Sequence, residues 1–152
     1  MKEFKVVIPE EYYSVLNFKQ DELPGVAVIN TGLRGFEPKE VFAWHLSIML
    51  DFENLIENGM PNKDDRTLAE NFEDELAPEI IGESIEKPNA LYLGRITWNE
   101  TRELIWRVYN PEPINDLLQE IINEKEYPLE FDYRIDHDKD WKLAEWHLKK
   151  HD

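Results

Sequence analysis

The chain has 152 residues, and its 17 Lys and Arg residues against 33 Asp and Glu residues give a net charge of −16 at pH 7. A chain of this length buries roughly 70% of its unfolded surface, so it needs no disulfide or metal to fold. The absence of cysteine excludes disulfide scaffolds, thiol nucleophiles and iron–sulfur clusters. Nucleic acids and anionic lipids bind through Lys and Arg, so this charge argues against both as partners.

The start of the chain carries Lys2, Glu3 and Lys5 where a signal peptide would need an apolar stretch. No apolar run is long enough to span a membrane. We therefore expect a cytoplasmic protein made of a single domain over residues 1–152. Nothing in the sequence points to a cofactor.

The N-terminal third contains β-prone pieces. Residues 4–8 and 12–18 show no regular alternation of apolar and polar side chains, whereas residues 26–30 form an apolar stretch that predicts a strand. The clearest strand is residues 44–52, in which apolar side chains at even positions alternate with polar or mixed ones.

A helix and a hairpin are predicted next. Leu68, Phe72 and Leu76 form one apolar stripe at i, i+4 and i+8, which predicts a helix from Asp64 or Asp65 to about Glu79. Pro78 should distort or end its last turn. Residues 91–98 and 103–109 predict two strands joined by residues 99–102.

The C-terminal third begins with a second helix. Pro111 and Pro113 suit a helix start, and apolar residues over 114–122 carry the strongest helical period in the chain. Residues 129–135 alternate as a half-buried strand. A terminal helix is expected over about 140–149, with Trp141, Ala144 and Leu148 on one side.

The order of these elements predicts an α+β fold. From residue 44 they run strand, helix, strand, strand, helix, strand, which is the ferredoxin-like split βαβ pattern. Right-handed crossovers would place both helices on one face of an antiparallel sheet, with Leu68, Phe72, Leu76 and the 114–122 stripe buried against it. The ferredoxin-like core is expected over about 42–136, with an N-terminal extension over 1–41 and the terminal helix as additions.

The second sheet face admits two alternatives. In one, the N-terminal segment and the helix around Trp141 cover it. In the other, it is a binding surface with the polar residues His45, Asp51, Arg107, Asp132 and Arg134.

Several motifs occur together in the order of a known family. They are Asn58-Gly-Met-Pro61, the acidic Glu73-Asp-Glu75, Tyr92-Leu-Gly-Arg-Ile-Thr97 with Thr101-Arg-Glu103, and Asp138-Lys-Asp-Trp141. Over residues 26–148 the chain resembles the uncharacterised bacterial family catalogued as domain of unknown function 695. The resemblance implies a bacterial α+β domain, similar in layout to the B-type regulators of ribonuclease E activity. It implies no catalytic residue.

One candidate metal site is a short acidic run. Asp136, Asp138 and Asp140 have the spacing of the first half of a calcium loop. Trp141 stands where such a loop needs glycine, and His147 stands where it needs glutamate. The alternative is that Asp138 or Asp140 caps the terminal helix.

Two further arrangements involve histidine. His147 and His151 are four residues apart, as in helical metal sites, but no third ligand is evident. His45, Ser47 and Asp51 can be written as a triad. Alternate residues along one strand face are ~6.6 Å apart, which is too far for triad partners.

The remaining functional signal is acidic charge beside aromatic residues. We expect a binding surface that includes Glu73, Asp74, Glu75, Trp98, Trp106 and Arg107. The leading hypothesis is a non-catalytic regulatory or binding protein that engages a basic protein surface through electrostatic complementarity. The alternatives are a small hydrolase that uses carboxylates or a divalent cation, and a self-associating domain.

Overall fold

A computed structural model describes residues 6–84 and 86–150. They form one sheet of six strands, three α-helices and short 3-10 turns. The strands are β1 (Tyr13–Gln20), β2 (Leu23–Asn30), β3 (Trp44–Asp51), β4 (Ala90–Trp98), β5 (Thr101–Val108) and β6 (Phe131–His137). The helices are α1 (Lys63–Ile81), α2 (Glu112–Glu124) and α3 (Glu145–Leu148).

The sheet order is β1-β2-β4-β5-β3-β6, and every neighbouring pair is antiparallel. From β3 onward the elements run strand, helix, strand, strand, helix, strand, and β5 lies between β3 and β4. This is the split βαβ arrangement. The predicted α+β class is therefore confirmed, and β1 and β2 extend the sheet beyond β4.

Both hairpins close through two-residue turns. Asp21 and Glu22 join β1 to β2, and Asn99 and Glu100 join β4 to β5. All four residues have positive φ, between 47° and 70°. Turns of this hand match the right-handed twist of the strands. The second turn is shorter than the four residues expected from the sequence.

The first core lies between the two long helices and one sheet face. Its sheet side comes from even positions of β3 and β5, such as Leu46, Ile48 and Trp106. Phe72 and Leu76 of α1 and Ile114 and Leu118 of α2 pack against them. Leu68, which was expected in the same stripe, is 39% exposed. The buried apolar residues of α1 instead begin at Ala69 and continue to Ile80.

The second core lies on the other face of β4 and β5. Leu91, Leu93 and Ile105 are covered by two segments, one before β3 and one after β6. The covering residues are Leu33, Phe36, Phe42, Trp141 and Ala144. The first alternative for this face therefore holds over β4 and β5. The part over β3 and β6 keeps a polar surface.

Two helix ends differ from expectation. Helix α1 continues past Pro78 to Ile81 and ends at Gly82, which has φ 90°. The terminal helix is reduced to a 3-10 turn, Lys142–Ala144, followed by the single turn α3. Trp141 has φ 60°, so the chain cannot be helical there. Of the β-prone piece over 4–8, residues 4 and 5 lie outside the described residues, and residues 6–8 are not in a strand.

We predict that Leu76→Ala destabilises the protein by about 2 to 4 kcal/mol, because it leaves a cavity between α1 and the sheet. Leu76 is 2% exposed, whereas Leu68 on the same helix is 39% exposed. Leu68→Ala is the matched control and should cost about 1 kcal/mol or less. Urea unfolding of both variants measures the difference. Equal losses would contradict the assignment of the buried stripe.

Candidate functional site

Arg107 of β5 is the most connected polar residue in the interior, and it is 0% exposed. Its Nε and Nη2 donate to the carbonyl oxygen of Phe42 at 3.3 and 3.2 Å. Nη1 donates to Asp138 Oδ2 at 2.9 Å, and Nη2 donates to the Asp138 carbonyl at 2.5 Å. Its guanidinium carbon lies 4.8 Å from the ring centroid of Trp141. We call this set of contacts the Arg107 clamp.

The Arg107 clamp holds the two segments that cover the second core, one before β3 and one after β6. The Asp138 carboxylate also accepts from the backbone amides of Lys142 and Leu143, at 3.0 and 2.9 Å. Asp138 therefore caps the terminal turn, as one alternative predicted. Partial burial alone would raise the pKa of Asp138, but the Leu143 amide and Arg107 hold that pKa below its ordinary value. Trp141 Nε1 donates to the carbonyls of Lys39 and Phe42.

His45 of β3 is held in its neutral form by the clamp. Its Nδ1 lies 3.0 Å from Arg107 Nη1. A guanidinium can only donate, so Nδ1 must accept and the ring proton resides on Nε2. Burial first, and then the positive charge of Arg107, lower the pKa of His45 to about 4.

Beside the clamp is an open cleft of about 560 Å³, which we call the polar cleft. His45, Ser47 and Glu103 lie along the sheet, and Ser47 Oγ donates to Glu103 Oε2 at 2.5 Å. Arg134 and Asp136 of β6 line it too, with an ion pair at 3.4 Å. The other lining residues are His137, Asp138, Lys142, Leu143 and His147.

The polar cleft does not form a catalytic triad of His45, Ser47 and Asp51. Ser47 bonds to Glu103, and Nδ1 of His45 faces Arg107 instead of a carboxylate. Asp51 lies at the far end of β3, opposite Thr101. The alternative of a small hydrolase that uses carboxylates or a divalent cation stays a prediction.

The candidate metal residues do not gather. The carboxylate of Asp138 accepts hydrogen bonds from Arg107 and from two backbone amides. Asp136 forms an ion pair with Arg134, and Asp140 is exposed. Across residues 6–84 and 86–150 no three His, Asp or Glu side chains are grouped so that they could hold a metal ion. His151, the second member of the histidine pair, lies outside this part of the chain.

The predicted acidic and aromatic surface is dispersed. Trp106 and Arg107 are both 0% exposed, so they cannot contribute to a surface that a partner touches. The same holds for Glu73, which is 8% exposed and forms an ion pair with Arg95 at 3.0 Å. Trp98 is half-buried and donates to the Gln20 carbonyl. Asp74 and Glu75 are exposed.

A second concave surface lies between α1 and α2, and we call it the acidic groove. It measures about 350 Å³. Its floor is apolar and its rim is acidic, with Phe72, Leu76, Leu117 and Ile121 beside Glu75, Glu79, Glu120 and Glu126. Of the expected surface residues, only Glu75 lies here. Glu79, Glu120 and Glu126 were not singled out from the sequence.

One groove carboxylate, Glu126, lies close to the carboxyl group of Glu124, which does not itself line the groove. A hydrogen bond with Glu126 and its negative charge raise the pKa of Glu124 above its ordinary value. No lysine or arginine lines the groove in the part of the chain that the structure describes. Its described lining therefore carries four carboxylates and no cationic side chain.

Taken together, the fold is an α+β sheet protein with a split βαβ half, an internal arginine clamp and two concave surfaces on opposite sheet faces. The family model for DUF695, a family of unknown function, matches residues 14–146. The chain belongs to this family. No curated protein and no solved structure matches the chain, so the expected likeness to the regulators of ribonuclease E activity is not supported. None of the described helices is long and apolar enough to cross a membrane.

We predict that protonation of His45 destabilises the fold as the pH falls. Its folded-state pKa of about 4 lies below the ordinary value of 6.5, so the unfolded chain binds more protons between these values. Stability should fall from pH 6.5 to pH 4.5 by an amount on the order of 2 kcal/mol through this residue.

Urea unfolding at several pH values measures this effect. His45→Gln keeps an acceptor for Arg107 but cannot titrate, so its pH dependence over this window should be flatter than that of the wild type. His137→Gln is the control, because His137 is exposed. Identical pH profiles for the wild type and His45→Gln would contradict the neutral assignment.

Proposed function

We propose that the protein is a non-catalytic binding protein of the bacterial cytoplasm, and that its acidic groove takes a basic, amphipathic segment of another protein. The observation that carries this proposal is the lining of the groove. Four glutamates surround four apolar side chains there, with no cation among the lining residues described. Absence of cysteine is compatible with a reducing compartment.

Electrostatics favours a cationic occupant. The chain carries a net charge of −16, so a positive segment is attracted from a distance and its association is accelerated. On docking, its lysines and arginines would relieve the mutual repulsion of carboxylates such as Glu124 and Glu126. Nucleic acid is disfavoured at the same surface, because glutamates repel phosphates.

The shape of the groove favours a helix. A helix laid between α1 and α2 presents apolar residues at i, i+3, i+4 and i+7 to the floor, and its flanks reach the rim. Leu117 and Ile121 of the floor are half-buried, so part of their surface is still available for contact. A domain that covers a basic segment in this way would regulate its partner by withholding that segment from other contacts.

A designed peptide tests this proposal. The probe is a short amphipathic helix of lysine and leucine with a fluorophore, and its scrambled form has the same composition without an apolar stripe. We expect the amphipathic peptide to bind more tightly than the scrambled one in fluorescence anisotropy. Its affinity should fall as salt rises, because screening weakens the ion pairs.

Matched variants assign the binding to the groove. Glu79→Gln with Glu120→Gln removes one rim charge from each helix and should weaken binding about tenfold. Asp74→Asn with Asp116→Asn removes one exposed charge from each helix outside the groove and should change affinity by less than about twofold. If both double variants lost the same affinity, or if the scrambled peptide bound as tightly as the amphipathic one, net charge alone would explain the binding. Either result would overturn the proposal.

A further inference from the structure

The outer edge of the sheet at β1 is open and exposes aromatic and apolar side chains beside polar ones. Nothing in residues 6–84 and 86–150 pairs with that side of the strand. Tyr12, Tyr13 and Val15 are 67%, 50% and 66% exposed there. The opposite edge strand, β6, exposes the charged side chains of Asp132 and Arg134. Charged edges resist pairing with another strand, and apolar edges invite it.

The backbone of β1 determines which residues can pair outward. Tyr12 accepts from the amide of Thr31, so its carbonyl points toward β2. Gln20, opposite Leu23 at the two-residue turn, also points inward. Hydrogen-bonding direction alternates along an antiparallel strand. Tyr13, Val15, Asn17 and Lys19 therefore direct their amides and carbonyls outward.

We propose that β1 pairs antiparallel with β1 of a second copy of this chain, with Val15 opposite Val15 on the two-fold axis. In this register the outward residues Tyr13 and Asn17 face each other. Lys19 of each copy then lies opposite Glu11 of the other, and Tyr12 lies opposite Phe18. The strand is thus complementary to itself in charge and in apolar contacts, as an interface on a two-fold axis requires.

Neighbouring registers that keep the backbone direction are poorer. A shift by two residues in one direction places Glu11 opposite Asp21, which brings like charges together. The opposite shift places Lys19 against Pro9 and leaves Glu11 against Asn17. Only the register centred on Val15 gives both copies an opposite-charge pair, and cross-strand pairs of this kind stabilise a sheet.

Net charge gives this dimer a distinctive salt dependence. Two copies of charge −16 repel each other at a distance, and salt screens that repulsion. The dimer should therefore strengthen as salt rises, whereas peptide binding in the acidic groove should weaken. A single strand pairing buries little area, so we expect a weak dimer that forms only as the protein concentration rises.

Sedimentation velocity over a concentration series at low and moderate salt tests the proposal. The wild-type chain should shift from monomer toward dimer with concentration, and more strongly at moderate salt. Val15→Lys should remain monomeric, since it places two lysines opposite each other at the axis. Because Val15 is exposed, the Val15→Lys variant should keep the wild-type fold, and circular dichroism checks this.

A charge exchange tests the register itself. Lys19→Glu alone and Glu11→Lys alone should each weaken the dimer, because each brings like charges together across the axis. The double variant should restore the dimer to near wild-type strength at unchanged net charge. Lys63→Glu, an exposed charge reversal on α1, controls for net charge. A monomer at every concentration, a dimer that persists in Val15→Lys, or a double variant that fails to recover would overturn the proposal.

Discussion

The buried guanidinium of Arg107 is the constraint on which the arrangement of the second sheet face depends. A buried charge without partners is strongly destabilising, so its donors must be satisfied inside the protein. They are satisfied by the carbonyl of Phe42, by Asp138 and by Nδ1 of His45. These groups come from the segment before β3, from β3 itself and from the segment after β6. One side chain on β5 thereby draws distant parts of the chain over the second core and positions one wall of the polar cleft.

The distribution of charge depends on where the few cationic side chains lie. Arg107 forms an ion pair with Asp138, and Arg95 forms one with Glu73, so two of the few arginines neutralise carboxylates inside the fold. Between α1 and α2 the glutamates lack such partners among the described residues. The surface therefore has a region suited to a cationic segment, while the open edge of β1 suits pairing with a second copy of the chain. Opposite responses to salt distinguish the two kinds of association.

Much of the fold could be predicted from the sequence because its signals are local. Alternation in residues 44–52 and the helical period of 114–122 identified β3 and α2, and the element order predicted the sheet topology.

Leu68 was wrongly assigned to the buried stripe of α1. Its i, i+4, i+8 spacing with Phe72 and Leu76 fits two neighbouring faces of a helix, and only packing against the sheet selects the face of Ala69 and Ile80. The terminal helix was overestimated, because Trp141 bonds to Lys39 and Phe42, which lie 102 and 99 residues earlier in the chain, and these contacts override local helix preference. Sites were harder to predict: Arg107 and Trp106 look like surface candidates until β5 is known to be buried on both faces. The acidic groove requires residues of α1 and α2 that only the crossover brings together.

The most direct test of this account is hydrogen exchange at the clamp in Arg107→Lys. Lysine keeps the positive charge but lacks the planar guanidinium group, so it cannot donate hydrogen bonds to Phe42 and Asp138 together. We expect the indole N–H of Trp141 and the amides of Lys142 and Leu143 to lose most of their protection from exchange, as measured by NMR. The amides of α1, which pack on the first core, should lose less. Unchanged protection of Trp141 in Arg107→Lys, or an equal loss throughout α1, would contradict the claim that Arg107 holds the covering segments in place.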